Sequence, residues 1–160
     1  MPARATMAPF EIRLLSAAER ALARERFGLA LDPDRVRLLA LPVWRRAFVP
    51  NGRLIVWPAA EALCDFAAQA VPLHVQAMFV HELAHVWQAQ SGVNLLAAKL
   101  RAGDGPAAYA YDLVCGPAFE ALNIEQQAMA VEHAFLASRG QAAPHPPEVY
   151  AQALPQWRRA

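Results

Sequence analysis

Cysteine is almost missing from this 160-residue sequence: Cys64 and Cys115 are the only two, and they are too far apart to form a C-x-x-C pair. That argues against a disulfide scaffold and against a cysteine-built zinc or redox site, and it predicts two small buried thiols. An excess of charge of one sign is missing too, since the formal net charge is +1. With no basic cluster interleaved with aromatics, neither a nucleic-acid partner nor an acidic membrane surface is expected. No apolar run has the length of a membrane span. Met1 to Phe10 contains one arginine and no apolar core, so no signal peptide is expected and the default compartment is the cytoplasm. Internal repeats and an obvious domain boundary are also absent.

What is present is apolar. Hydrophobic residues make up 56% of the chain and charged residues 18%, a globular balance at a length that suits one domain over residues 1–160. Ser16 and Glu19 form a capping box that predicts a helix from Ala17 to Phe27, stopped by Gly28. Leu14, Leu15, Ala18, Leu22 and Phe27 are its expected core contacts, and its Arg and Glu residues an expected solvated face. Arg35 to Leu41 and Arg53 to Trp57 read as strands, the second after the Pro50-Asn51-Gly52 turn. Ala59 to Val71 reads as a loop with a helical turn. Helices are expected over Pro72 to Gln90, Asn94 to Arg101, Asn123 to Ser138 and Pro147 to Leu154, with an extended segment at Tyr109 to Leu113. The fold class is α+β, mostly helical, with a small sheet before the third quarter of the chain.

The densest chemistry lies in the Pro72–Gln90 helix, where His81-Glu82-Leu83-Ala84-His85 matches the H-E-x-x-H pattern. Residues i and i+4 of a helix share a face, so His81 and His85 can direct two imidazoles at one ion. Zinc brings the pKa of a bound water towards neutrality, and a carboxylate such as Glu82 can take the proton as that water attacks a carbonyl. The pattern sits among Phe79, Val80, Leu83, Ala84, Val86 and Trp87, so its helix is expected to be buried. Two buried imidazoles and a carboxylate without partners would cost several kcal/mol, which favours a metal or a dense hydrogen-bond network.

A catalytic zinc takes three protein ligands. Gln88 to Asn94 contain no histidine, which excludes a third ligand in a His-x-x-Gly-x-x-His continuation. Glu120, Glu125 and Glu132 remain. Glu125 is preferred, because it stands in the first turn of the Asn123–Ser138 helix and Ala128 leaves room for close approach. Glu132, on nearly the same face, is a second-layer acceptor or a solvated residue. For stabilising an oxyanion the candidates are Tyr109, Tyr111 and His133, with Tyr111 preferred. The strand Arg53 to Trp57 could serve as a shelf for an extended peptide.

These residues carry a resemblance. Arg26-Phe27-Gly28, Val36-Arg37-Leu38, Gly52-Arg53-Leu54-Ile55-Val56 and Val80-His81-Glu82-Leu83-Ala84-His85-Val86-Trp87-Gln88 resemble the short zincin-like domain associated with contractile injection systems, over roughly Leu22 to Gln90. With Asn123-Ile124-Glu125-Gln126-Gln127-Ala128, the chain is similar to proteins called Vgr-related, after the spike of the type VI secretion machine. The resemblance implies a minimal Glu-zincin domain: a zinc endopeptidase with His81, His85 and Glu125 on the ion and Glu82 as general base. Its partners would be a peptide or protein substrate and secretion-spike components, with export by a contractile injection system. It also leaves open a zinc-holding structural, adaptor or cargo module without turnover, and a toxin. One departure is Met129, where many Glu-zincins carry an Asp that supports a zinc histidine.

Overall fold

The computed structural model describes residues 5–157. The expected single domain over 1–160 and the reading of Met1 to Phe10 both extend into residues outside the described ones.

The architecture is α+β, with five α-helices and one four-stranded sheet among the described residues. Strands β1 (Ile12–Leu14), β2 (Arg37–Leu41), β3 (Phe48–Asn51) and β4 (Leu54–Pro58) lie in the order β1-β2-β4-β3. β1 pairs antiparallel with β2, β2 parallel with β4, and β3 antiparallel with β4. Helices α1 (Ala17–Phe27), α2 (Leu73–Gln90), α3 (Leu95–Ala102), α4 (Ile124–Ser138) and α5 (Pro147–Ala153) pack on this sheet and on one another.

Local chemistry explains the boundaries. Ser16 accepts from the Glu19 amide and Glu19 returns a bond to the Ser16 amide, closing the capping box that starts α1. Gly28 ends the helix at φ 54°, a backbone region open to glycine. Asn123 and Gln126 form the equivalent reciprocal cap on α4. Asn94 caps α3 through the Ala97 amide. The segment between β4 and α2 is a series of turns.

Several expectations need correction. β1 and β3 are strands the sequence patterns did not announce, because each is short and carries little alternation. Arg53 to Trp57 is not a free shelf: β4 is an interior strand between β2 and β3, and the edge strands are β1 and β3. Ala18 is exposed, because the buried face of α1 is centred on Glu19, Leu22 and Ala23, and Leu14 is exposed at the end of the edge strand β1. Glu19 itself is fully buried rather than part of a solvated face. Cys115 is exposed and Cys64 half-buried, so neither is the fully buried thiol expected.

One continuous core joins the layers. Phe66, from the segment after β4, lies between Trp57 of β4 and Phe79 of α2, with ring centroids 4.3 Å and 5.1 Å away. At the other end of α2, Gln90 accepts from the Asp32 amide at 2.7 Å and donates to the Gly52 carbonyl at 2.9 Å. A Cβ on Gly52 would stand 2.8 Å from Gln90 Cγ and 3.2 Å from its backbone nitrogen, so the glycine permits this approach. The motif helix is thereby fastened at both ends, and its most extensive helix contact is with α4.

Candidate metal centre

α2 is apolar on nearly all sides, and Phe79, Val80, Leu83, Ala84 and Val86 are completely buried. His81, Glu82 and His85 occupy the side that faces α4. There the first turn of α4 brings Glu125 to meet them. Glu125 Oε2 lies 3.4 Å from His81 Nε2 and 3.4 Å from His85 Nε2. One donor atom from each of His81, His85 and Glu125 falls within a 4.8 Å group. Tetrahedral zinc with bonds of about 2.0–2.1 Å has neighbouring ligand atoms roughly 3.3–3.4 Å apart. The two histidine–carboxylate separations match that edge, and two imidazoles with one carboxylate are a donor set zinc accepts.

Surrounding bonds orient the imidazoles. Gln88 donates from Nε2 to the Ile124 carbonyl at 2.9 Å and to Gln127 Oε1 at 3.0 Å. Its Oε1 is therefore an acceptor, and His85 Nδ1 donates to it at 2.8 Å. With Nδ1 so engaged, Nε2 is the His85 nitrogen turned towards Glu125. His81 Nδ1 meets Glu132 Oε2 at 2.9 Å. The carboxylate that supports this histidine comes from Glu132, two turns after Glu125, rather than from position 129, where Met129 is half-buried. Of the two readings open for Glu132, the geometry selects the acceptor.

Burial alone would lower the pKa of His81, but hydrogen bonds to Glu125 and Glu132 and the charges of Glu82 and Glu132 push it up to about 10. Burial also opposes ionisation of Glu125, yet bonds to His81, His85 and Lys99 hold its carboxyl well below the usual carboxylate range. The pocket therefore favours positive charge strongly. Burial pushes the Glu82 carboxyl up, against the pull of His85 and His81. Glu82 Oε2 is a buried oxygen with no hydrogen-bond partner. An orphaned acceptor of this kind costs about 1–3 kcal/mol, and at this place it suits a group awaiting a proton donor.

Lys99 of α3 is the only lysine of the chain, and sequence reasoning passed over it. Its Nζ donates to Glu125 Oε1 at 2.7 Å and to the Tyr109 hydroxyl at 2.9 Å, and it pairs with Asp104 at 3.1 Å. The two oxygens of Glu125 are thus divided, Oε2 for the histidine pair and Oε1 for Lys99. A single lysine in an otherwise arginine-based chain was the one signal that could have drawn attention to it. Gln88 was legible only as a letter of the motif.

The oxyanion candidates separate. Tyr109 lines the cleft beside the three candidate ligands, whereas Tyr111 is not among the lining residues. The Tyr111 hydroxyl is engaged with His133 Nδ1 at 2.7 Å and with the Tyr150 hydroxyl at 2.9 Å. It knits the segment before α4 to α4 and α5, and burial raises its pKa. The structure does not bring Tyr111 to the centre. Glu120 is exposed in a 3-10 turn, away from the cleft lining. His74, given no role, is exposed on the first turn of α2.

No protein-family model matches the chain. It is 35% identical over 136 residues to the type VI secretion system spike protein VgrG2b of Pseudomonas aeruginosa, a match that takes in 78% of this chain. The chain spans only 13% of that protein's length. Among solved structures, the effector domain of Pseudomonas aeruginosa VgrG2b is similar with a TM-score of 0.70 at 30% identity. That likeness covers 92% of this chain and 84% of the solved one.

Proposed function

The chain belongs to the family of the VgrG2b effector domain, and from that premise we propose that it is a zinc-dependent endopeptidase delivered by a type VI secretion spike. The observation that carries the chemical part is the meeting of His81, His85 and Glu125 beside the unpartnered Oε2 of Glu82. Association with spike components and export are drawn from the relative, of which this chain corresponds to a small part. No described helix is long and apolar enough to cross a membrane.

His81, His85 and Glu125 would hold the ion. When bound, zinc polarises a carbonyl and eases the ionisation of a water. Glu82 takes the proton from the water attacking the scissile carbonyl and passes it to the leaving amine. Glu132 and Gln88 keep the two imidazoles turned with Nε2 inward. Tyr109 accepts from Lys99, so its own hydroxyl proton is free to be given to the substrate oxygen that gains negative charge.

The test is metal content and hydrolysis measured on the same preparation. One equivalent of zinc is expected, lost in His85→Ala and in Glu125→Ala, with peptide hydrolysis abolished by chelation and restored by zinc. Full zinc occupancy in His85→Ala would show that the centre is misassigned. Zinc retained without hydrolysis of any peptide would leave a non-catalytic module.

Two further results are expected. Glu132→Gln should weaken zinc affinity about 10- to 100-fold in competition with a chromogenic chelator, because the His81 imidazole loses its charged acceptor. Tyr109→Phe should lower kcat about 100-fold with zinc content unchanged, the low end for loss of one oxyanion donor. Tyr111→Phe should leave kcat near that of the wild type.

A further inference from the structure

The cleft over the candidate centre has a volume of about 670 Å³, and its walls differ in chemistry from its floor. The floor holds His81, Glu82, His85 and Glu125. Large apolar side chains rise around it from four places: Trp44 from the β2–β3 loop, Phe48 from β3, Met78 from α2 and Leu96 from α3. All four are open to solvent, Trp44 at 50% and Leu96 at 73%. The Trp44 and Phe48 ring centroids lie 5.4 Å apart with the rings tilted by 53°, making an aromatic pair at the cleft mouth. Apolar surface gathered in this way around a concave site marks a place where an apolar group binds.

The loop that presents Trp44 is strained. Val43 has φ 54°, a conformation that a β-branched residue adopts at a cost, and its side chain is fully exposed. No burial of Val43 offsets that cost. What the turn achieves is the placement of Trp44 and of the residues after it along the cleft.

Those residues are Arg45 and Arg46. Both line the cleft, both are exposed, and neither has an ion-pair partner among the described residues. The other charged groups of the lining are mostly committed: Lys99 to Glu125 and Asp104, and Glu132 to His81. Glu61 and the floor's Glu82 are the remaining acids, so Arg45 and Arg46 are a local pair of unpaired guanidinium groups in a lining that otherwise carries more acid than base. β3 is the edge strand beside the cleft, and its residues Phe48, Val49 and Pro50 border it. Pro50 has no N–H to donate, so an extended peptide could pair with this edge only briefly, and side-chain contacts must do most of the selecting.

Resting on the peptidase reading of the same site, we propose that the cleft selects extended peptide segments in which a bulky apolar side chain stands near an acidic one. The apolar side chain packs on Trp44 and Phe48, opposite Leu96. The acidic side chain pairs with Arg45 or Arg46, whose planar donors suit a carboxylate.

The experiment uses the zinc-loaded full chain with a diverse peptide library, cleavage sites being read by mass spectrometry. Binding of a fluorescent peptide carrying the Phe and Asp pairing is measured separately by anisotropy. Cleavage sites are expected to be enriched in Phe, Leu, Met or Trp with Asp or Glu close by. Trp44→Ala and Phe48→Ala should each raise KM about tenfold for the preferred peptide. The double variant Arg45→Glu with Arg46→Glu should turn the acidic preference into a basic one. Cleavage without side-chain bias would overturn the selection and leave the peptidase. Selective binding without cleavage by the wild type would uphold the selection and remove the peptidase. An unchanged KM in Trp44→Ala and Phe48→Ala, with melting curves like the wild type, would overturn the role of the aromatic pair.

Discussion

Glu82→Gln is expected to reduce peptide hydrolysis by about 10⁴-fold, the upper end of what a positioned general base contributes, or about 5.5 kcal/mol of barrier. The upper end applies because one carboxylate serves twice in the proposed reaction, removing a proton from water and giving it to the amine. Glutamine preserves the volume, so α2 should stay packed against α4. It cannot carry the proton. His81, His85 and Glu125 are untouched, and zinc content should remain one equivalent. The check is therefore a pair of numbers from one sample, hydrolysis rate and metal content. Hydrolysis persisting at a tenth of the wild-type rate in zinc-loaded Glu82→Gln would remove Glu82 from the mechanism. Burial favours the neutral form of this carboxyl, and a bound dication would oppose that shift, so the variant should be compared with the wild type across pH rather than at one value.

How the centre was and was not legible follows from which contacts are local. His81, Glu82 and His85 could be read because helical spacing alone places two imidazoles on one face. Glu125 could be preferred because a residue in the first turn of a capped helix projects from a defined frame, though nothing in the sequence states which helix it faces. Lys99 and Gln88 were missed as participants for a different reason. Lys99 meets Glu125 across 26 positions, and Gln88 meets Gln127 across 39. Such distances leave no periodic trace. Tyr111 was favoured over Tyr109 on proximity to α4 in sequence, but its hydroxyl is taken by His133 and Tyr150.

The same distinction separates the fold's legible parts. The start of α1 followed from a reciprocal cap that involves four consecutive residues, and the start of α4 from its Asn123 cap. β1 and β3 exist because β2 and β4 offer them edges, and a strand of three or four residues has too little pattern to announce itself. Glu19 shows how a local reading can be right and incomplete. Its capping role was read from Ser16-x-x-Glu19, while its burial depends on a segment nearly fifty residues later.

Glu19→Ala is the second large expected effect. The Glu19 carboxylate is fully buried and saturated with donors. Arg13 grips it with two bonds of 2.7 Å, the Ser16 amide reaches Oε2 at 2.8 Å, and the Phe66 amide reaches Oε1 at 2.8 Å. Removing it leaves a largely buried guanidinium and two amides without their acceptor, a loss of about 3–5 kcal/mol of folding stability. For a domain of this size that lowers Tm by on the order of 10 °C. Glu19→Gln should be milder, because its oxygen still accepts while its amide faces other donors. The consequence reaches the candidate metal centre through Phe66, which packs on Phe79 two residues before His81. If zinc binds only the folded chain, zinc at about 100 times its Kd should return about 2.7 kcal/mol to the Glu19→Ala variant. Denaturant titrations with and without zinc measure both quantities. A variant as stable as the wild type would mean that the Arg13–Glu19 cluster does not hold the segment leading into α2. A variant that is destabilised but unaffected by zinc would place the fault in the metal centre instead.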